Sequence, residues 1–162
     1  MITPPDLLKW VIEPTLRAMG ARFSSSRAAR LLAYTSIAES TVSGHTRLHQ
    51  VRGPALGIFQ VEPFTAQDLI TRYRSVLQQF ITASPDDVVS GNLYLSTALA
   101  RCKYYDATPP LPRAFLVDIG AYWKKHYNTD AGRGTVDGFV SRCMSWTIEV
   151  ETALERLYNK ID

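Results

Sequence analysis

The sequence predicts a mainly α single domain, and three observations carry that prediction. Apolar residues recur at helical spacing in one stretch after another, as in Ala28, Leu31, Leu32, Thr35 and Ala38. Prolines, glycines and small hydroxyl residues fall between those stretches, where caps and breaks belong. Ser43 to Pro63, which holds three glycines and two prolines, has no helical period.

The elements follow in order. Asp6 to Ile12 reads as a short helix disturbed at Pro14, with Thr15 to Met19 continuing it and Gly20 as its C-cap. Ser24, Ser25 or Ser26 caps a helix over about Arg27 to Thr41. Ser43 to Pro63 reads as an irregular or partly β loop, and so long a loop in a compact domain suggests function. Thr65 to Phe80 is the next helix, with Leu69, Tyr73, Val76, Leu77 and Phe80 on one face. Ser84-Pro85-Asp86-Asp87 is a helix start, Gly91 a break, and Leu95, Ala98, Leu99 and Cys102 a further stripe. Thr108 to Pro112 is a rigid connector. Ala114 to Tyr127 is helical, Asn128 to Gly134 is a turn, and a last helix runs from about Val136 to Tyr158.

Bulk properties narrow the function classes. At 162 residues the chain suits one domain (1–162) with a real core. Its net charge of +3 is too small and dispersed for nucleic acid, though it favours an anionic surface such as a cell-wall polymer. Cys102 and Cys143 read as buried free thiols, and pairing is the alternative. Neither they nor His45, His49 and His126 have metal-ligand spacing, so no metal or cofactor is expected. The N-terminus lacks the basic and apolar regions of a signal peptide, and no stretch approaches a transmembrane span.

One constellation carries chemistry. Glu39 lies near the end of an apolar helix, after Ile37 and Ala38, and Gln60 follows 21 residues later in Gly57-Ile58-Phe59-Gln60-Val61-Glu62-Pro63. Cleaving a glycosidic bond requires a proton on the leaving oxygen. A glutamate supplies it best where an apolar setting keeps it protonated. A single helix glutamate is ordinarily just solvated, so the partners matter.

The pattern Glu39-Ser40, then Gly53-Pro54-Ala55-Leu56-Gly57-Ile58-Phe59-Gln60-Val61-Glu62-Pro63-Phe64-Thr65, resembles the lysozyme-like superfamily. Within it the resemblance is to soluble lytic transglycosylases and goose-type lysozymes, over about Leu31 to Leu69. Ile58-Phe59 stands where the family has Leu-Met, and the glycine spacing is one residue longer than the commonest form. A group of small phage-encoded members is most similar, because Tyr122-Trp123-Lys124-Lys125-His126-Tyr127-Asn128-Thr129 matches their later segment.

The resemblance implies a lysozyme-like helical domain with a catalytic helix and a Gly-rich loop or small β element lining a cleft. It implies a peptidoglycan lytic transglycosylase or muramidase. Glu39 is then the catalytic acid, protonating the oxygen between N-acetylmuramic acid and N-acetylglucosamine. It next acts as base on the muramoyl 6-hydroxyl or on water. The substrate-binding set implied is Ser40, Gln60, Glu62, Tyr122, Tyr127 and Asn128. Tyr127-Asn128 matches a Tyr-Asn pair near the acid, and Tyr122 competes for that place. Glu62 has two readings, a second carboxylate acting on water or a cap for the helix after it. Trp123 and Tyr122 suit either sugar stacking or core packing. His45, His49 and Arg133 read as surface polar groups; the alternative is sugar or cleft contact for the histidines and a muramic acid carboxylate or peptide stem for Arg133.

The partners implied are peptidoglycan glycan strands. The expected route is synthesis in the host cytoplasm and action in the periplasm or cell wall of a bacteriophage's host. A chain without a signal peptide reaches the wall either inside the virion or through a separate membrane-permeabilising protein. Two rival readings are a non-catalytic lysozyme-fold virion or wall-binding protein and a small helical adaptor. The adaptor leaves Glu39 and Gln60 unexplained.

Overall fold

The structure, a computed structural model, describes residues 2–42, 45–46, 54–81, 91–129 and 132–159. The described chain is mainly helical, and no helix in it is long and apolar enough to cross a membrane. The helix start at Ser84-Pro85-Asp86-Asp87, and with it His49 and Gly53, lies outside the described residues.

The chain opens with α1 (Pro4–Leu7), a π-helical turn (Leu8–Ile12) and α2 (Glu13–Met19). Pro14 disturbs this run as the sequence suggested, though as a π turn just before it and not as a break. It occupies the first turn of α2, directly after the π turn, where its missing N–H costs little. The Trp10 carbonyl, which an α-helix would pair with residue 14, instead faces the Tyr94 hydroxyl at 3.5 Å. Gly20 ends α2 at φ 100°, the positive-φ C-cap expected.

The central element is α3 (Ser26–Ser40). Ser25 is its cap, with Oγ accepting from the Ala28 amide at 3.1 Å. Burial goes beyond the expected stripe: Ala28, Ala29, Leu31, Leu32, Ala33, Tyr34, Thr35, Ser36, Ile37, Ala38 and Ser40 are all buried. A helix buried on nearly all sides belongs in the middle of a domain. Accordingly α1, the π turn, α6 (Leu93–Tyr105), α7 (Leu116–Trp123), α8 (Val136–Met144) and α9 (Thr147–Tyr158) all pack on it. Its four alanines let those neighbours approach closely.

After α3 come two short antiparallel strands, β1 (Thr41–Val42) and β2 (His45–Thr46), paired Thr41 to Thr46 and Val42 to His45. The partly β reading of the loop holds at this place. Next, α4 (Pro63–Arg72), α5 (Arg74–Leu77) and a 3-10 turn (Gln78–Phe80) replace the single helix expected over 65–80. The break falls at Tyr73, at φ −110° and ψ 28°. Its ring turns into a cluster with Phe23 and Tyr105, and its hydroxyl donates to Asp106, so tertiary contacts override local helix propensity.

Asn92 caps α6, accepting from the Leu95 amide at 2.9 Å. Helix α7 runs on into a second π turn, Lys124–Asn128. The expected last helix is two helices, α8 and α9, broken at Ser145 and Trp146. Thr147 Oγ1 donates to the Met144 carbonyl at 3.0 Å, taking up an acceptor that a continuing helix would use. The break lets α9 lie along α3. There Glu151 receives Arg30 through Nε and Nη2 at 2.9–3.0 Å and the Tyr34 hydroxyl at 2.9 Å.

Cys102 and Cys143 are both free and buried. Burial pushes each thiol up to about 12. We expect neither to react with a disulfide reagent at pH 8 in the native protein and both to react in denaturant. Rapid labelling of either in the folded chain would contradict this packing.

Candidate active site around Glu39

Glu39 occupies the last turn of α3, one residue before the chain leaves for β1. Around it the hydroxyl-bearing residues are already satisfied by their own helix. Thr35 donates to the Leu31 carbonyl, Ser36 to Ala33, and Ser40 to Ser36 at 2.6 Å. Ser40 is buried. Its role in this geometry is to close the end of the helix.

The Glu39 carboxyl is held from across the domain. The Trp123 indole N–H donates to Glu39 Oε1 at 2.8 Å. Burial raises the Glu39 pKa above the usual carboxylate range, while the Trp123 hydrogen bond and the charges of Lys103 and Arg142 pull it back down. Arg142 also donates to the Ala38 carbonyl, tying α8 to the end of the acid's helix. Lys103 donates to the Tyr127 carbonyl at 2.8 Å and lies 4.0 Å from the centre of the Tyr127 ring. Its pKa is lowered by burial, against the opposing charges of Glu39 and Glu62. Both carboxylates therefore act on one lysine.

The segment with Gln60 forms a tight turn. Leu56 and Val61 exchange backbone hydrogen bonds at 3.0 Å, enclosing Gly57-Ile58-Phe59-Gln60. Gly57 has φ 73° and Gln60 φ 48°, so the glycine is needed and Gln60 is held in a left-handed conformation uncommon outside glycine. Gln60 Nε2 donates to the Gly57 carbonyl at 2.7 Å, which fastens the turn to itself. Ile58 and Phe59 are fully buried beneath it. The Tyr127 hydroxyl donates to the Phe59 carbonyl at 2.8 Å. Burial raises the Tyr127 pKa well above the phenol range, and the Glu39 charge adds to that. Tyr127 thus links the turn to the surroundings of the acid.

Of the residues singled out from the sequence, Glu39, Tyr127 and the Gln60 turn are brought together, with Glu62 acting on the same lysine as Glu39. The others are engaged elsewhere. Tyr122 donates to the Pro109 carbonyl at 3.1 Å and packs against Tyr104 and His126. Asn128 Oδ1 accepts from Lys124 at 3.0 Å. Glu62 takes the N-cap position of α4, but its exposed side chain makes no capping hydrogen bond. For β2, which holds His45, the structure describes the backbone pairing alone. Arg133 is exposed.

Trp123 and Lys103 are the partners of Glu39 that the sequence did not announce. Trp123 lies in the segment that matches the phage members, so its neighbourhood carried a signal, but its hydrogen bond did not. Lys103 sits inside an otherwise apolar helix stripe, and that break in pattern was the available clue.

The space for Trp123 depends on Gly134. A Cβ at position 134 would lie 2.4 Å from Trp123 Cη2 and 3.1 Å from Asn128 Nδ2. Gly134→Ala is expected to cost about 1–3 kcal/mol as Trp123 is driven off its place. A lower melting temperature with altered tryptophan emission checks this.

A groove of about 860 Å³ also crosses the surface between the N-terminal helices and α9, lined by Lys9, Arg17, Glu149, Glu155 and Arg156 among others. It includes none of the residues around Glu39. Compared with protein families, with curated proteins and with solved structures, the chain matches none.

Proposed function

We propose that this chain cleaves the β-1,4 bond between N-acetylmuramic acid and N-acetylglucosamine in bacterial peptidoglycan, as a lysozyme-like transglycosylase or muramidase. The observation that carries the reading is a single glutamate whose pKa is raised by burial and whose neighbour Tyr127 is hydrogen-bonded to the glycine-shaped turn of Gln60. A raised carboxyl is a proton donor near neutral pH. The Glu39 proton goes to the glycosidic oxygen, the bond from that oxygen to C1 breaks, and its electron pair leaves with the oxygen. The Glu39 carboxylate then takes a proton from the muramoyl 6-hydroxyl or from water as the new bond to C1 forms.

The setting proposed is a bacteriophage infection, with the enzyme acting at the wall and delivered either in the virion or past the membrane by a separate permeabilising protein. Mass spectrometry of the products from purified peptidoglycan tests the reading. 1,6-Anhydromuramic ends identify a transglycosylase and reducing ends a hydrolase. Intact glycan strands rule out cleavage and leave the rival, a wall-binding or virion protein without activity.

A further inference from the structure

We infer that Trp123 is the positioning residue that decides which oxygen of Glu39 carries the catalytic proton: the indole holds Oε1 and leaves Oε2 as the donor. The inference rests on the proposed reading of Glu39 as the acid. An indole N–H donates and has no lone pair to accept. A neutral carboxyl has one O–H and one bare carbonyl oxygen. The carbonyl oxygen of a neutral carboxyl accepts better than its hydroxyl oxygen, so with Trp123 Nε1 2.8 Å from Oε1 the favoured neutral form carries its proton on Oε2. The contact also persists through proton transfer. As the Oε2–H bond breaks, Oε1 becomes part of a carboxylate and its hydrogen bond becomes charge-assisted and stronger. An interaction that strengthens as charge develops is one that accelerates the step.

The indole is built to stay in place. Trp123 is 2% exposed and packs on Phe139 with ring centres 5.0 Å apart. Phe139 in turn lies against Gly120, where a Cβ would approach its ring to 3.1 Å. Gly134 clears the far edge of the indole. Two glycines and a phenylalanine therefore fix the plane of the donor.

The other groups around Glu39 act without choosing an oxygen. Lys103 on α6 and Arg142 on α8 lower its pKa through their charges. The phenols of Tyr104 and Tyr127 are held neutral by burial, and the Glu39 charge adds to that. The Glu62 charge acts on the same Lys103. Among the described residues, Trp123 supplies the one hydrogen bond from a side chain to the Glu39 carboxyl.

A pH titration followed by NMR tests this without requiring activity. The Trp123 indole proton, assigned with Trp123→Phe, and the Glu39 carboxyl carbon, assigned with Glu39→Gln, are followed in the intact chain. Both are expected to move with one midpoint. In Trp123→Phe the Glu39 midpoint is expected to rise by about one to two pH units, since a hydrogen bond to the charged form is lost. The alkaline limb of kcat/KM on peptidoglycan moves up with it. Turnover at the wild-type optimum drops about tenfold, less than loss of the acid itself would cost, with KM unchanged to about twofold. An indole indifferent to the Glu39 titration, or an unmoved midpoint in Trp123→Phe, overturns the assignment. If that variant does not fold, the wild-type indole titration decides alone. A chain whose indole follows Glu39 but which leaves peptidoglycan intact rules out the glycosidase reading and keeps the hydrogen-bond assignment. An active chain with an indifferent indole does the reverse.

Discussion

Glu39→Gln is expected to leave purified peptidoglycan uncut, with turnover down about 10²–10⁴-fold, the usual contribution of a positioned acid. The helical circular dichroism stays as it was, because the amide oxygen still accepts from Trp123. Activity near the wild-type level would remove Glu39 from the mechanism. A second measurement on the same variant has a definite sign. Burial raises the folded-state pKa of Glu39 above its unfolded value. Its contribution to stability is therefore fully present below the unfolded pKa, near 4.3, and is lost as pH rises through the folded pKa. The glutamine carries no such dependence. At pH 4 the two proteins are expected to melt together, and above the folded pKa of Glu39 the variant melts higher. A variant that melts lower at pH 8 would show that the carboxylate is well solvated.

Phe59→Ala is expected to cost about 3–5 kcal/mol, the range for deleting a buried aromatic ring. For a chain of this size that lowers the melting temperature by roughly 6–20 °C. Phe59 has no exposed surface, and its carbonyl receives the Tyr127 hydroxyl. Emptying its place loosens the turn that holds Gln60 at positive φ as well as the core. Activity should then fall further than the loss of folded protein explains. A melting temperature within 2 °C of wild type would show that the site had collapsed around the gap instead.

Helix positions were legible because their signals are local. Ser25 caps, Gly20 ends a helix and apolar residues repeat at helical spacing, and each rests on a few neighbouring residues. The failures were of another kind. Tyr73 breaks a helix because Phe23, Tyr105 and Asp106 draw it away. Thr147 breaks another, and the redirected α9 brings Glu151 to Arg30. Pro14 shifts its run into a π turn instead of ending it. The aromatic cluster at Tyr73 and the Arg30–Glu151 clamp join residues far apart in sequence. The same division runs through the site. Glu39 and the Gly57–Gln60 turn stood out as local patterns, and Tyr127 through the segment it shares with Trp123. The Trp123 hydrogen bond and the Lys103 charge depend on how α6 and α7 meet the end of α3, which no local pattern encodes.

The groups that seat Glu39 come well after it in the sequence. Trp123 follows it by 84 positions, Arg142 reaches back 104 to Ala38, and Glu151 reaches back 121 to Arg30. At ribosomal rates of about 5–20 residues per second, the last of these emerges roughly 6–24 s after its partner. A nascent chain that already displays Glu39 and Gln60 still lacks the indole that holds its carboxyl, the arginine that holds the end of its helix and the glutamate that clamps Arg30. Seating of the Glu39 carboxyl thus waits until the segment through Glu151 has been made, and a ribosome stalled before Trp123 releases a fragment that carries Glu39 and Gln60 but not the indole that holds the carboxyl.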